Sequence, residues 1–223
     1  MRYSGAKRFH RFRAISLTLL MAVMLSACIY RPLPSNQPRT IGTVTAATGT
    51  PVVIRYNEQY IVGVQSQIYE GDILQTDADS RAQIRMIDRS VISLGNNSHL
   101  VFHKYTYVTG ANRSTAEMTF TSGVLELDST DQATERTPDF LIQTPLANLH
   151  VQSTGLLAGF SSNDKRLDLL LLHGKDVEIT NDQGSVKLDR VNYGTSIVAG
   201  GTPRVPAAWT PEKRERLLRA TTL

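Results

Sequence analysis

The chain has a single cysteine among 223 residues, so no intramolecular disulfide holds it together. The residues around that cysteine, Met24, Leu25, Ile29 and Tyr30, supply no metal ligand and no base, which argues against a reactive thiol. Acidic residues are missing from positions 1–27, where Arg2, Lys7, Arg8, Arg11 and Arg13 stand unopposed. The formal net charge of +4 therefore belongs to the leader: with five of the 24 basic residues spent there, 19 remain against 20 acidic ones. A near-neutral remainder has no electrostatic footprint for phosphate backbones, and no nucleic acid is expected as a partner. Also missing are a P-loop, a dinucleotide fingerprint, a G-x-S-x-G elbow and an H-E-x-x-H pair. Gly155-Leu-Leu-Ala-Gly159 lacks the helical context of a phosphate loop.

The leader has an ordered layout. Its basic segment is followed by the apolar run Ala14–Leu25 and then by the small residues Ser26 and Ala27. That run is shorter than the roughly 20 residues a helix needs to cross a bilayer. A basic flank, a short apolar stretch and small residues together describe a secretory signal peptide. The stretch Leu25-Ser26-Ala27-Cys28 resembles the lipobox of bacterial lipoproteins. The resemblance implies cleavage before Cys28 and lipidation of its sulfur, with more than one acyl chain giving stable membrane attachment. Ile29 stands where an aspartate resembles an inner-membrane retention signal, so the expected address is the outer membrane, lipid-anchored and periplasm-facing. Residues 28–40, with Pro32, Pro34 and Pro38, read as the lipidated cysteine and a semi-rigid spacer.

From residue 41 to 203 the pattern changes. Short runs rich in Val, Ile, Leu, Thr and Tyr alternate with Gly, Asp, Asn and Ser. In Arg81–Ile87, Ala82, Ile84 and Met86 share one face and Gln83 and Arg85 the other; Val124, Leu125 and Leu127 bracket Glu126. Tight turns are expected at Ile87–Val91 and at Asn181–Gly184. The fold class is all-β, many short strands in a solenoid-like or sandwich arrangement. The tail, 204–223, holds one short helix: Thr210 can cap it, Pro211 suits its first turn, and Trp209 is placed to pack it on a sheet.

Three blocks carry a family resemblance. Gly71-Asp72-Ile-Leu-Gln-Thr76, followed by a strand and Asp88-Arg89-Ser90, resembles the core of FecR-type periplasmic domains. Ile142-Gln-Thr144-Pro145-Leu-Ala147 leading to Thr154 resembles their T-P-x-A block and R-G-T. Leu172-His-Gly174-Lys-Asp-Val177 resembles their G-x-V-x-V strand. Two positions depart: Arg89 replaces the glycine of D-G-S, and Gln152-Ser153-Thr154 stands where R-G-T is usual. The resemblance implies a signalling domain, although the usual cytoplasmic domain and spanning helix have no room in the 13 residues before the apolar run. Gly71, Asp72, Thr76, Asp88, Thr144, Pro145 and Gly174 read as structural, with Asp72 bonding backbone N–H groups two or three residues on.

No catalytic residue, metal site or cofactor is expected. His99, His103, His150 and His173 read as packed or solvated, and Asp128, Asp131 and Glu135 as a solvated loop. The expected function is a non-catalytic envelope lipoprotein binding another envelope component, in signalling or assembly. Sheet edges and the Tyr105/Tyr107 strand are its expected surfaces. The alternatives are a structural lipoprotein that binds peptidoglycan or assembles with itself, and a β-fold hydrolase.

Overall fold

The computed structural model describes residues 38–108, 111, 113–129, 137–161 and 165–223. The leader, including Leu25, Ser26, Ala27 and Cys28, lies outside the described residues, as do Asp131 and Glu135. Residues 38–223 form one compact unit.

Among the described residues, eighteen strands build two sheets. In chain order they are β1 (Thr40–Thr48), β2 (Val52–Arg55), β3 (Glu58–Ile61), β4 (Gln67–Tyr69), β5 (Ile73–Gln75) and β6 (Arg81–Met86). Next come β7 (Val91–Leu94), β8 (His99–Val108), β9 (Arg113–Ser122), β10 (Val124–Asp128), β11 (Thr137–Gln143) and β12 (Asn148–Val151). The last are β13 (Gly155–Phe160), β14 (Arg166–His173), β15 (Val177–Asn181), β16 (Gly184–Leu188), β17 (Tyr193–Val198) and β18 (Ala207–Ala208), followed by helix α1 (Pro211–Thr221). Sheet I runs β18-β17-β14-β13-β10-β7-β6-β1-β4, and sheet II runs β16-β15-β12-β11-β9-β8-β5-β2-β3. The chain lays strands singly or in pairs, first on one sheet and then on the other. Position along the sequence thus maps onto position along the stack. Both sheets keep free edges, so the architecture is a sandwich that grows like a solenoid and does not close as a barrel.

One hydrophobic cluster takes side chains from both sheets, from Ile41 through Phe102, Phe140 and Leu149 to Ile197. Strict alternation puts Ala82, Ile84 and Met86 of β6 inside. In β10, Leu125 and Leu127 enter that core, whereas Val124 points to the other side of sheet I. There it meets Leu157 and Leu170 under Trp209, Leu217 and Leu218 of the C-terminal segment. Strands β13 and β14 are buried on both faces, which is why they read Leu-Leu-Ala and Leu-Asp-Leu-Leu-Leu-Leu without clean alternation.

The helix has the ends its sequence requires. Thr210 caps it by accepting from the Lys213 N–H, Pro211 occupies its first turn, and Glu212 lies where the dipole favours an anion. Its far end is held by Arg81, which donates to the Ala220 carbonyl at 2.9 Å, and by Thr221, which donates to Glu126 at 2.7 Å. No helix among the described residues is long and apolar enough to cross a membrane.

Strand β8 corrects one expectation. Its register against β9 shifts between Phe102 and Lys104, a bulge that turns both His103 and Lys104 outward. Simple alternation from Phe102 would expose Tyr105; the extra residue instead sends it into the core, fully buried. Tyr105 is therefore unavailable as an interface residue. Its hydroxyl donates to Asp88 at 2.8 Å, joining a sheet II strand to a turn of sheet I.

Candidate functional site

The motif residues all sit at strand ends. Gly71 has φ 90° and its N–H donates to the Phe102 carbonyl at 2.7 Å. Asp72 is fully buried; it accepts two bonds from Arg55, each 2.7 Å, and one from the Tyr69 N–H at 2.8 Å. The backbone donor lies three residues back, not ahead, and the main partner is an arginine across the sheet. Asp72 holds the Arg55 pKa above its usual value, first through the hydrogen bond, and the guanidinium stacks on Tyr69 at 4.1 Å. The sequence does not mark Arg55, because nothing local signals its contact 17 residues away.

Thr76 donates to the Gly95 carbonyl at 2.6 Å and accepts from the Ser98 N–H at 2.9 Å. Asp88 caps its own turn by accepting from the N–H and the hydroxyl of Ser90, each at 3.0 Å. Thr144 makes a similar knot with Ala147, and Pro145 is exposed beside it. Gly174, at φ 79°, passes so close to the chain that an added Cβ would meet the Ser153 carbonyl at 2.8 Å. Thr154 is buried there, its hydroxyl donating to the Lys175 carbonyl at 2.6 Å and its N–H to the Ser129 hydroxyl at 2.9 Å.

The two departures from the family pattern share a conformation. Arg89 has φ 71° and Ser153 has φ 46°, the left-handed region that glycine occupies without penalty. A non-glycine residue pays about 1–2 kcal/mol there.

Of the histidines, His99 contacts Thr121 at 3.1 Å, His103 contacts Thr119 at 2.7 Å, and His173 lies 3.6 Å from Asp128, which ends β10. His150 pairs with Asp139. Among the described residues no three His, Cys, Asp or Glu side chains converge as a metal site.

The strongest concentration of unassigned polar chemistry is the outer face of sheet II. The register aligns Lys104 with Glu117, Glu117 with Leu141, Leu141 with His150, His150 with Glu178, and Glu178 with Lys187. Six strands thus present one continuous row across the sheet. Thr115 and Asp139 form the next row on one side, and Asn148 and Thr180 the next on the other. All of these except Lys187 line an open groove of about 610 Å³. Lys187 turns to Asp176 at 2.7 Å, which keeps the carboxylate below and the ammonium above their usual pKa values. Glu117, Asp139 and Glu178 outnumber the fixed cation Lys104 among the lining residues, so the groove favours cationic and hydrogen-bonding ligands. No motif residue lines it. The polar parity of β9, β12 and β15 was visible in the sequence, but the alignment of those strands was not.

None of the curated proteins is significantly similar to this chain. Two crystal structures of a candidate anti-sigma factor from Parabacteroides distasonis ATCC 8503 are similar at 16% identity and a TM-score of 0.49. The match covers 66% of this chain and 64% or 63% of theirs, so the chain spans less than two thirds of those proteins. Residues 72–176 match the family described as FecR protein, a span holding Asp72, Thr76, Asp88, Thr144, Pro145 and Gly174.

Proposed function

We propose that the protein is a non-catalytic lipoprotein of the bacterial envelope, anchored through Cys28, whose FecR domain binds another envelope protein on the outer face of sheet II. The observation that carries this reading is the asymmetry of the sandwich. The apolar outer face of sheet I is covered by α1, while sheet II leaves its charged row and groove open. Gly71, Asp72, Thr76, Asp88, Thr144, Pro145 and Gly174 serve this arrangement as corner residues that hold strand ends in place. The lipobox Leu25-Ser26-Ala27-Cys28 directs cleavage and lipidation, and the spacer carries the domain away from the bilayer on its periplasmic side. The groove recognises its partner by charge and hydrogen bonding, without a cofactor, metal or catalytic group.

Crosslinking in intact cells tests the binding reading. One dominant protein adduct is expected; recovery of cell-wall fragments alone would favour a structural peptidoglycan-binding role. The anchor is tested separately: a labelled fatty acid should enter the wild-type chain and not Cys28→Ala, and equal labelling of both would refute it.

A further inference from the structure

Each sheet ends in two edge strands, and three of the four are blunted. β18 has two residues and β4 three. β16 carries Lys187. Short edges and edge lysines are the usual protection against strand addition. β3 has neither device: all of Glu58, Gln59, Tyr60 and Ile61 are exposed, and the strand contains no lysine or proline.

The hairpin geometry shows which backbone groups are open. Tyr56 and Asn57 form the two-residue turn with φ 52° and 64°, as a type I′ turn requires. Arg55 pairs with Glu58 and Val53 with Tyr60, and the Val62 N–H donates to the Pro51 carbonyl at 2.9 Å. Hydrogen-bonded pairs alternate along an antiparallel ladder, so the N–H and C=O groups of Gln59 and Ile61 point away from β2. Apolar surface flanks them: Ile61 is 73% and Tyr56 76% exposed.

We propose that β3 pairs antiparallel with β3 of a second copy, about a two-fold axis through Gln59. A two-fold axis perpendicular to the sheet keeps each face on its own side, so only residues of equal parity stand opposite. With the axis at Gln59, Tyr60 stands opposite the partner's Glu58, twice by symmetry. The phenol–carboxylate hydrogen bond that Tyr60 makes to Glu58 within the chain can then be exchanged for the same bond between copies. An axis at Tyr60 would put Glu58 opposite Val62, and an axis at Ile61 would put it opposite Val64, leaving the carboxylate beside an aliphatic side chain. The Gln59 register gives Glu58 a donor and sets no like charges opposite each other. Sheet II then runs without interruption through both copies. This surface is separate from the groove and does not depend on it.

Cysteine crosslinking of the full-length chain tests the contact. Cα atoms of a hydrogen-bonded antiparallel pair lie about 5.5 Å apart, within disulfide range. Two residues 61 across the same axis are offset by four positions, roughly 13 Å, beyond that range. Under mild oxidation Gln59→Cys should give a covalent dimer at least tenfold above both wild type, which retains Cys28, and Ile61→Cys. Unchanged protease resistance of both variants shows that the fold is intact. Equal yields from the two variants, no dimer from Gln59→Cys, or an adduct of Gln59→Cys with a different protein would each overturn the proposal.

Discussion

The outer faces of the two sheets share one strand geometry and differ in what lies over them. On sheet I, Val124, Leu157 and Leu170 meet Trp209, Leu217 and Leu218 of the chain's own C-terminal segment. Glycines make room for it: an added Cβ at Gly159 would meet Leu217 at 2.5 Å, and one at Gly194 would meet Trp209 at 2.4 Å. On sheet II, the same positions of the pleat hold Glu117, His150 and Glu178, and no element of the described chain covers them. The sequence period of a strand therefore reports how many of its faces are covered. β13 and β14 lose alternation because both of their faces are buried, whereas β9, with Thr115, Glu117 and Thr119 outside, keeps it.

This contrast can be broken in a graded way. Leu170→Ala, on the covered face, should cost about 3 kcal/mol. In a domain of this size that is a fall of roughly 6–12 °C in Tm by calorimetry. Loss of the helix cap in Thr210→Ala should cost about 1 kcal/mol and weaken the cover without touching the core. Leu141→Ala removes the same side chain from the open face, where Leu141 is only half-buried. It should cost under about 1 kcal/mol; a loss equal to that of Leu170→Ala would mean that the two faces are not energetically distinct.

The smallest effect is electrostatic and depends on pH. The Asp176 pKa is lowered in the folded state, chiefly by its hydrogen bond from Lys187. A lowered carboxyl stabilises above its unfolded pKa, about 3.9, and loses that contribution as pH falls through the folded value. The Lys187 pKa is raised by the same partner, so its contribution is lost as pH rises through its folded value. Asp176→Asn should therefore lower Tm slightly at pH 7, by an amount that shrinks as pH falls below the unfolded carboxyl pKa. A difference in Tm that does not shrink with falling pH would exclude the ion pair as its cause.

Much of the fold was legible in the chain. The period-two runs, the turn at Asp88 and the Thr210-Pro211-Glu212 helix start are local signals, and each is found where its residues place it. What stayed hidden depends on register. The β8 bulge reverses the facing of Tyr105 by one inserted residue, a choice made by pairing with β9 and invisible in β8 alone. Arg55 is hidden for the same reason, since its carboxylate partner is brought beside it by the pairing of β2 with β5. The row from Lys104 to Lys187 is assembled from residues up to 83 positions apart, so no window of sequence contains it. The conformational clue was partly legible: Arg89 and Ser153 fall where the family pattern has glycine, and both adopt the positive φ that glycine would have allowed.

The central claim is that sheet II faces a partner while sheet I faces its own helix. Photo-crosslinking side chains placed singly at Glu117, Asn148 and Glu178, and at Glu215 and Arg216 on the exposed side of α1, compare the two faces in intact cells. The account predicts adducts to one common protein from the three sheet II positions and none from the helix. Adducts from Glu215 or Arg216 with none from Glu117, Asn148 or Glu178 would contradict it.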